Sequence, residues 1–199
     1  FVDAGPPPPP PTTKTVRMRL PGADSGKVAL RADGLELLGL TDPFDLEVHQ
    51  GDRVAVLSPN GTGKSHLLRL LAGDETVEHE GTFRLGARVR PGLFHQTDER
   101  PEFAGRTPIA IVGDHDLNEQ AALAALGRYG IAECGPRPYE TMSGGQRARL
   151  QVLHLELLGV NLLLLDEPTD NLDLQSAEAL EAALAEFTGT VLAVTHDRW

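Results

Sequence analysis

The sequence predicts an α/β fold, a mostly parallel core sheet covered by helices. Three observations point there. The apolar runs at 53–57, 161–165 and 190–194 have the length of strands buried on both faces. The first runs into a loop of glycine and proline, and the second into two acids. Between them lie segments with apolar residues at helical spacing, such as Ala177, Leu180, Leu184 and Phe187, with Glu178 and Glu181 on the other face.

Pro6 to Pro11 is an unbroken proline run, which must be extended polyproline II. Residues 1–23, including the basic Lys14, Arg17 and Arg19, read as a linker from a preceding domain or as a disordered tail. Val28 to Leu38 alternates loosely and Leu46 to Val48 is a shorter strand; Arg53 to Leu57 is a buried one. Lys64 to Ala72 is a helix with Leu67, Leu68, Leu70 and Leu71 on its apolar faces, stopped by Gly73. Thr82 to Leu85 and Arg88 to Phe94 are strands. Asp116 and Glu119 have the spacing of a capping box, opening a helix through Leu126. Ser143 caps a helix from Gly144 to about Leu158. From about residue 100 to 158 the chain reads as a mainly helical insertion.

Bulk properties narrow the function. The 199 residues suit one domain with an inserted lobe, and 40% hydrophobic content supports a sizeable core. Lys plus Arg is 18 and Asp plus Glu is 29, a net charge of −11, which argues against a general nucleic-acid footprint but leaves room for a local basic face. No apolar run approaches the roughly 20 residues of a membrane span, and no secretory signal opens the chain. Cys134 is the only cysteine, so there is no intrachain disulfide and no cysteine-based zinc site. A cytoplasmic chain without membrane insertion is expected. The start at Phe1 and the stop just past a strand read as a piece of a longer polypeptide.

The loop Ser58-Pro59-Asn60-Gly61-Thr62-Gly63-Lys64-Ser65-His66 joins a strand to a helix, the setting a phosphate-binding loop needs. Glycines let backbone N–H groups turn toward an anion, and the helix start adds the positive end of its dipole. Lys64 would reach the β- and γ-phosphates, and Ser65 would put its hydroxyl on Mg²⁺. Ser58 stands where a first glycine is usual, and His66 where a second hydroxyl is common. Further on, Leu162 to Leu165 ends in Asp166 and Glu167. Carboxylates at the end of a buried strand are costly without a purpose, and at the carboxyl end of a parallel strand they can meet a ligand. Asp166 would hold Mg²⁺, and Glu167 would orient and polarise the attacking water. Ser143-Gly144-Gly145-Gln146 opens a helix and reads alone either as an anion-binding start or as a plain N-cap.

Taken in order, the Gly-rich loop, Gln96, Ser143 to Gln146, Asp166-Glu167-Pro168-Thr169 and Thr195-His196 resemble the ATP-binding cassette (ABC) family over roughly Val28 to Trp199. The resemblance implies a P-loop NTPase fold with a small antiparallel β subdomain and an inserted helical subdomain, spanning 24–199. It implies ATP and Mg²⁺ as ligands. Gln96 resembles the glutamine that touches Mg²⁺ and couples to the helical lobe, Met142 to Gln146 the signature loop, Asp173 an interface residue and His196 the switch histidine at the γ-phosphate. In this family the Lys64 loop of one cassette faces the signature loop of another, so Ser143, Gly144, Gly145 and Gln146 would serve the partner's ATP. The family's adenine-stacking aromatic is missing from Glu36 to Thr41; Phe44 is the nearest candidate.

Asp170-Asn171-Leu172-Asp173, His196-Asp197-Arg198-Trp199 and Gln146-Arg147-Ala148-Arg149-Leu150 resemble the ABC-F branch, which carries two cassettes on one chain. This implies a second cassette as partner and a ribosome-associated translation or antibiotic-resistance factor, with ribosomal RNA as a further partner. The alternatives are the ATPase subunit of a transmembrane transporter, docked beside Gln96, and a nucleotide-gated scaffold with little turnover, against which Glu167 stands.

Overall fold

The computed structural model describes residues 18–22, 25–57, 59, 61–95, 100–168 and 172–194. The proline run, Ser58, Asn60, Gln96, Thr169 to Asn171 and Thr195 to Trp199 lie outside the described residues.

In chain order the strands are β1 (Val28–Leu37), β2 (Phe44–His49), β3 (Arg53–Val56), β4 (His79–Leu85), β5 (Pro91–Phe94), β6 (Leu162–Asp166) and β7 (Thr190–Val194). The helices are α1 (Lys64–Leu71), α2 (Pro108–Gly113), α3 (Glu119–Arg128), α4 (Gly144–Leu157) and α5 (Leu174–Glu186). Strands β2, β1 and β4 form an antiparallel sheet in that order, and β3, β7, β6 and β5 form a parallel one. Every described element between β5 and β6 is helical.

The leucine run of β6 explains how two cores share one sheet. Side chains of a strand alternate between faces. Leu162 and Leu164 enter a core with α1, β1 and Leu192 of β7. Leu163 and Leu165 enter the opposite core, with α4, α5 and the helical segment. Strand β6 lies between β5 and β7, so both its backbone edges are paired. Carboxyl ends are level: Val56 and Asp166 both pair with Val194, and Phe94 pairs with Leu165. With neighbouring strands about 4.8 Å apart, the four ends line an edge of about 14 Å.

Three expectations are corrected. Helix α3 is capped by Asn118, whose Oδ1 accepts from the Ala121 N–H at 2.9 Å, and not by Asp116. Asp116 sits at φ 60°, in left-handed backbone, whereas the residues that cap helices here through their side chains all hold extended backbone. Strand β5 begins at Pro91 because the chain turns just before it, with Arg88 at φ 62° and the Val89 N–H donating to the Gly86 carbonyl at 3.1 Å. The stretch read as a linker up to residue 23 packs inward at its end. Met18 and Leu20 are buried, and Arg19 N–H donates to the Tyr129 hydroxyl at 3.0 Å, a hydroxyl that also meets Glu156 at 2.6 Å. Helix α2 was not expected; Thr107 caps it and Pro108 takes its first position, where a missing N–H costs nothing.

Within the helical segment, His154 of α4 meets His115 at 3.0 Å between ring nitrogens and Phe103 edge-on at 5.3 Å. Burial, with His115 and Arg100 adding to it, lowers the His154 pKa from 6.5 to about 4. Between those values the unfolded chain takes up a proton that the folded chain refuses. Stability should therefore fall as pH drops from about 6.5 toward 4 and level off below. Denaturant titrations across that window should give a shallower slope for His154→Gln; an unchanged slope would show that the pair does not govern acid sensitivity.

Candidate functional site

Strand β3 leads through residues 57–63 into α1. Gly61 at φ 78° and Gly63 at φ 85° hold left-handed backbone that residues with a Cβ adopt at a cost. Gly63 is also tight: an added Cβ would lie 2.9 Å from Leu40 Cβ. As the N-cap of α1, Gly63 offers no side chain. The other α-helices are capped by Thr107, Asn118, Ser143 and Asp173. Among the described residues, α1 is the one α-helix whose start no side chain caps. Its first-turn N–H groups and dipole face the loop, which is the requirement for an anion site.

Lys64 is buried at the first position of α1, and its Nζ donates to the Pro59 carbonyl at 3.0 Å. Thr62 Oγ1 donates to the same carbonyl at 2.8 Å. Ser65 and His66 are exposed on the first turn. Beside the loop lies a cavity of about 400 Å³ lined by Leu37, Leu40, Phe44, Val56, Lys64 and Leu67 among others. Phe44, the aromatic nearest to the loop in sequence, thus lines the same cavity as Lys64, within mainly aliphatic walls.

Asp166 ends β6 half-buried, level with Val194. Glu167 follows at φ 45°, with its N–H bonded to the Val194 carbonyl at 3.1 Å. A non-glycine residue in this region costs on the order of 1–2 kcal/mol. Such strain beside a sheet edge makes Glu167 a candidate for a functional role, and no sequence pattern revealed the strain. Gln96 and His196 lie outside the described residues, but both follow strands that end at this edge, β5 and β7.

The Ser143 loop is elsewhere, and none of its residues lines the cavity beside Lys64. Ser143 makes the full capping box: its Oγ accepts from Gln146 N–H at 3.3 Å and its own N–H donates to Gln146 Oε1 at 2.8 Å. Ser143 and Gly144 remain exposed. Gly145 is buried, and a Cβ there would collide with the Asp173 carboxylate. Asp173 in turn caps α5 through Ser176 N–H at 2.8 Å and meets Arg149 at 3.4 Å. Burial raises its pKa, but the hydrogen bonds from Ser176 and the Arg149 charge outweigh that and hold the carboxyl low.

Sequence reasoning missed Arg100 and Gln151. Both are buried polar side chains; Arg100 directly follows residues 96–99 in the chain, and Gln151 lies on α4. Gln151 Oε1 accepts from His95 N–H at 3.2 Å and from Arg100 Nη2 at 3.3 Å. Arg100 also donates to the Leu93 carbonyl at 2.8 Å and pairs with Glu102 at 2.9 Å.

A glycine loop at the carboxyl end of a parallel sheet, leading into an uncapped helix and flanked by a strand-end carboxylate pair, defines the class: a P-loop α/β nucleotide-binding fold with an added antiparallel sheet and helical segment. The chain belongs to the ABC transporter family, whose pattern matches residues 41–170. An antibiotic resistance protein of Mycobacteroides abscessus is 53% identical over all of this chain and 40% of its own length. ABC transporter F family member 4 of Arabidopsis thaliana is 40% identical over 77% of this chain and 22% of its own. The energy-dependent translational throttle protein EttA of Escherichia coli is 35% identical over 80% and 30%. The chain therefore spans less than half the length of these relatives. A solved structure described as a metal-chelate type ABC transporter in an inward-facing conformation superposes with a TM-score of 0.66 at 26% identity, over 86% of this chain and 74% of that one. No helix among the described residues is long and apolar enough to cross a membrane.

The Gly145–Asp173 contact yields a test. Gly145→Ala should cost about 1–3 kcal/mol in denaturant unfolding, the scale of overpacking with a disturbed helix cap. In an Asp173→Ala background the added cost should shrink, because the colliding carboxylate is gone. Equal costs in both backgrounds would refute the contact.

Proposed function

We propose that this chain is one cassette of a paired ABC-F-type ATPase that binds and hydrolyses ATP. The observation that carries the reading is the one α-helix start among the described residues that no side chain caps, at Lys64, facing a glycine loop at the sheet edge. Lys64 would leave the Pro59 carbonyl for the β- and γ-phosphates, and the residues from Ser58 to His66 would wrap the triphosphate. Ser65, Asp166 and Gln96 are oxygen donors of the kind Mg²⁺ prefers, few enough to leave it several waters. When bound, the ion would neutralise charge between the phosphates. Glu167 would orient the attacking water and accept its proton, and His196 would contact the γ-phosphate. The base would lie in the cavity of Phe44, Leu37 and Leu40, with less stacking than a central aromatic supplies.

Exposed Ser143 and Gly144, away from the Lys64 cavity, support a composite arrangement in which they serve the ATP of a second cassette on the same polypeptide or in a homodimer. Asp173 would stand at that interface. The names of the Mycobacteroides abscessus and Escherichia coli relatives support a cytoplasmic factor in translation or antibiotic resistance, with the ribosome as partner. The solved transporter favours a second reading, an ATPase subunit docked to a membrane-spanning partner. A neighbouring membrane-spanning subunit would support it, and a second cassette on the same polypeptide would support the first.

Lys64→Ala should abolish Mg-ATP binding in calorimetry, a loss of at least about 100-fold from removing a charge-assisted phosphate contact. Unchanged affinity would refute the phosphate-loop reading. Ser143→Arg should leave Mg-ATP binding intact but prevent pairing. Sedimentation with ATP in a Glu167→Gln background should show the closed pair for the parent and its loss with Ser143→Arg. If Ser143→Arg blocks ATP binding to the monomer, the signature loop acts on its own nucleotide and the composite site is wrong.

A further inference from the structure

The cavity of about 400 Å³ beside the phosphate loop falls within the roughly 300–1,000 Å³ of small-ligand pockets. Its walls are apolar at Leu37, Leu40, Phe44, Val56 and Leu67. Of the described residues that line it, two carry charge: Lys64 at the start of α1, and Asp42 between β1 and β2. The phosphate reading gives Lys64 a part and Asp42 none. Asp42 is exposed. A carboxylate repels a triphosphate, so its presence in this cavity works against nucleotide binding unless the base meets it.

The turn that carries Asp42 is fixed. The Leu40 and Thr41 N–H groups donate to the Leu37 carbonyl at 2.9 and 3.1 Å, and the Leu37 N–H donates to Thr41 Oγ1 at 3.0 Å. Gly39, at φ 73°, supplies left-handed backbone within it. Pro43 biases Asp42 to extended backbone. The turn also abuts the phosphate loop, since a Cβ built on Gly63 would lie 2.9 Å from Leu40 Cβ and 3.2 Å from Leu37 Cδ1. A base linked to phosphates at Lys64 and seated in this cavity shares it with Asp42.

Apolar walls tell one purine from another poorly, because every base has a π-face. The polar edge does the discriminating. Guanine carries two donors side by side, N1–H and the 2-amino group, which match the two oxygens of a carboxylate as a bidentate pair. Adenine carries an acceptor, N1, beside its 6-amino donor. A carboxylate facing that edge gains one hydrogen bond and meets one lone pair.

We propose that Asp42 reads the base, and that this cassette takes guanine nucleotide at least as well as adenine nucleotide. The proposal rests on the phosphate-loop reading above. It keeps the triphosphate, Lys64 and Mg²⁺ as given there and adds guanine nucleotide to the substrates. Mainly aliphatic walls offer little stacking, which leaves the edge contacts to set the preference.

The test is calorimetry on the full chain with Mg-ATP, Mg-GTP and the Mg complex of xanthosine triphosphate. The parent should bind Mg-GTP at least as tightly as Mg-ATP. In Asp42→Ala the GTP-to-ATP affinity ratio should fall roughly tenfold, the scale of losing a hydrogen bond to a charged group. Asp42→Asn offers one acceptor and one donor, which suits xanthine, whose N1–H stands beside a carbonyl in place of the amino group. That variant should lose GTP and gain xanthosine triphosphate, each by roughly tenfold, an exchange that a merely structural role for Asp42 does not produce. Both variants are checked for native melting. A parent that favours Mg-ATP overturns the proposal, as does an Asp42→Ala chain with the parent's ratio, or an Asp42→Asn chain that gains nothing for xanthosine triphosphate. Binding of Mg-ATP with exclusion of Mg-GTP overturns this proposal and leaves the phosphate-loop reading standing; binding of neither nucleotide refutes both.

Discussion

Strand β6 passes through the middle of the parallel sheet with hydrogen bonds on both edges and leucines entering cores on both faces. A backbone so deeply buried must be fully paired, because each orphaned polar group there would cost free energy comparable to a lost hydrogen bond. That requirement sets β5 and β7 beside it and brings the ends of four strands level. The candidate site follows from that edge. The loop into α1 leaves β3, the segment to Gln96 leaves β5, Asp166 and Glu167 end β6, and the residues leading to His196 leave β7. Crevices outside the carboxyl ends of open parallel sheets are where ligands bind in such folds.

Helix starts divide the chain into two kinds of polar surface. Where an oxygen side chain caps the helix, as Ser143, Asn118 and Asp173 do, the first-turn N–H groups are partly satisfied within the chain. Where Gly63 stands instead, no N-cap side chain serves them. The Ser143 start is an intermediate case. Its capping box satisfies Gln146, yet the loop remains exposed, with buried Gly145 pressed close to Asp173. A cap and a contact for an outside anion can share one serine, since a hydroxyl oxygen holds two lone pairs and one proton.

The helical segment is held by polar contacts between elements distant in sequence. Tyr129 links Arg19 to Glu156, and burial together with the Glu156 hydrogen bond drives its phenol pKa far above the usual value, so it stays a donor. Gln151 and Arg100 join α4 to the end of β5. Such contacts are directional, and breaking one leaves its buried partner unsatisfied.

Much of this was legible in the sequence. Strand and helix periods along β6, β7, α1 and α4, the Gly-rich loop and its setting, and the strand-end acids all depend on residues close together in the chain, where local geometry decides. The order of motifs carried the family. Other features depend on which distant residues meet. The sequence pattern around residue 116 fits a capping box at Asp116, with Glu119 three residues on; only the chain path, which turns Asp116 to φ 60° and leaves Asn118 to accept from Ala121 N–H, decides otherwise. Nothing local distinguishes Met18 and Leu20 from a solvated linker until Tyr129, more than 100 residues away, closes over them. Arg100 and Gln151 look like surface residues in sequence, because charge and amide are normally exposed. Their burial is settled by mutual satisfaction across 51 positions of chain, and the left-handed turn at Glu167 arises only where β6 meets the end of β7. Composition and periodicity determine elements and loops; pairing between remote polar groups and backbone strain belong to the tertiary structure, since both exist only once the chain has closed on itself.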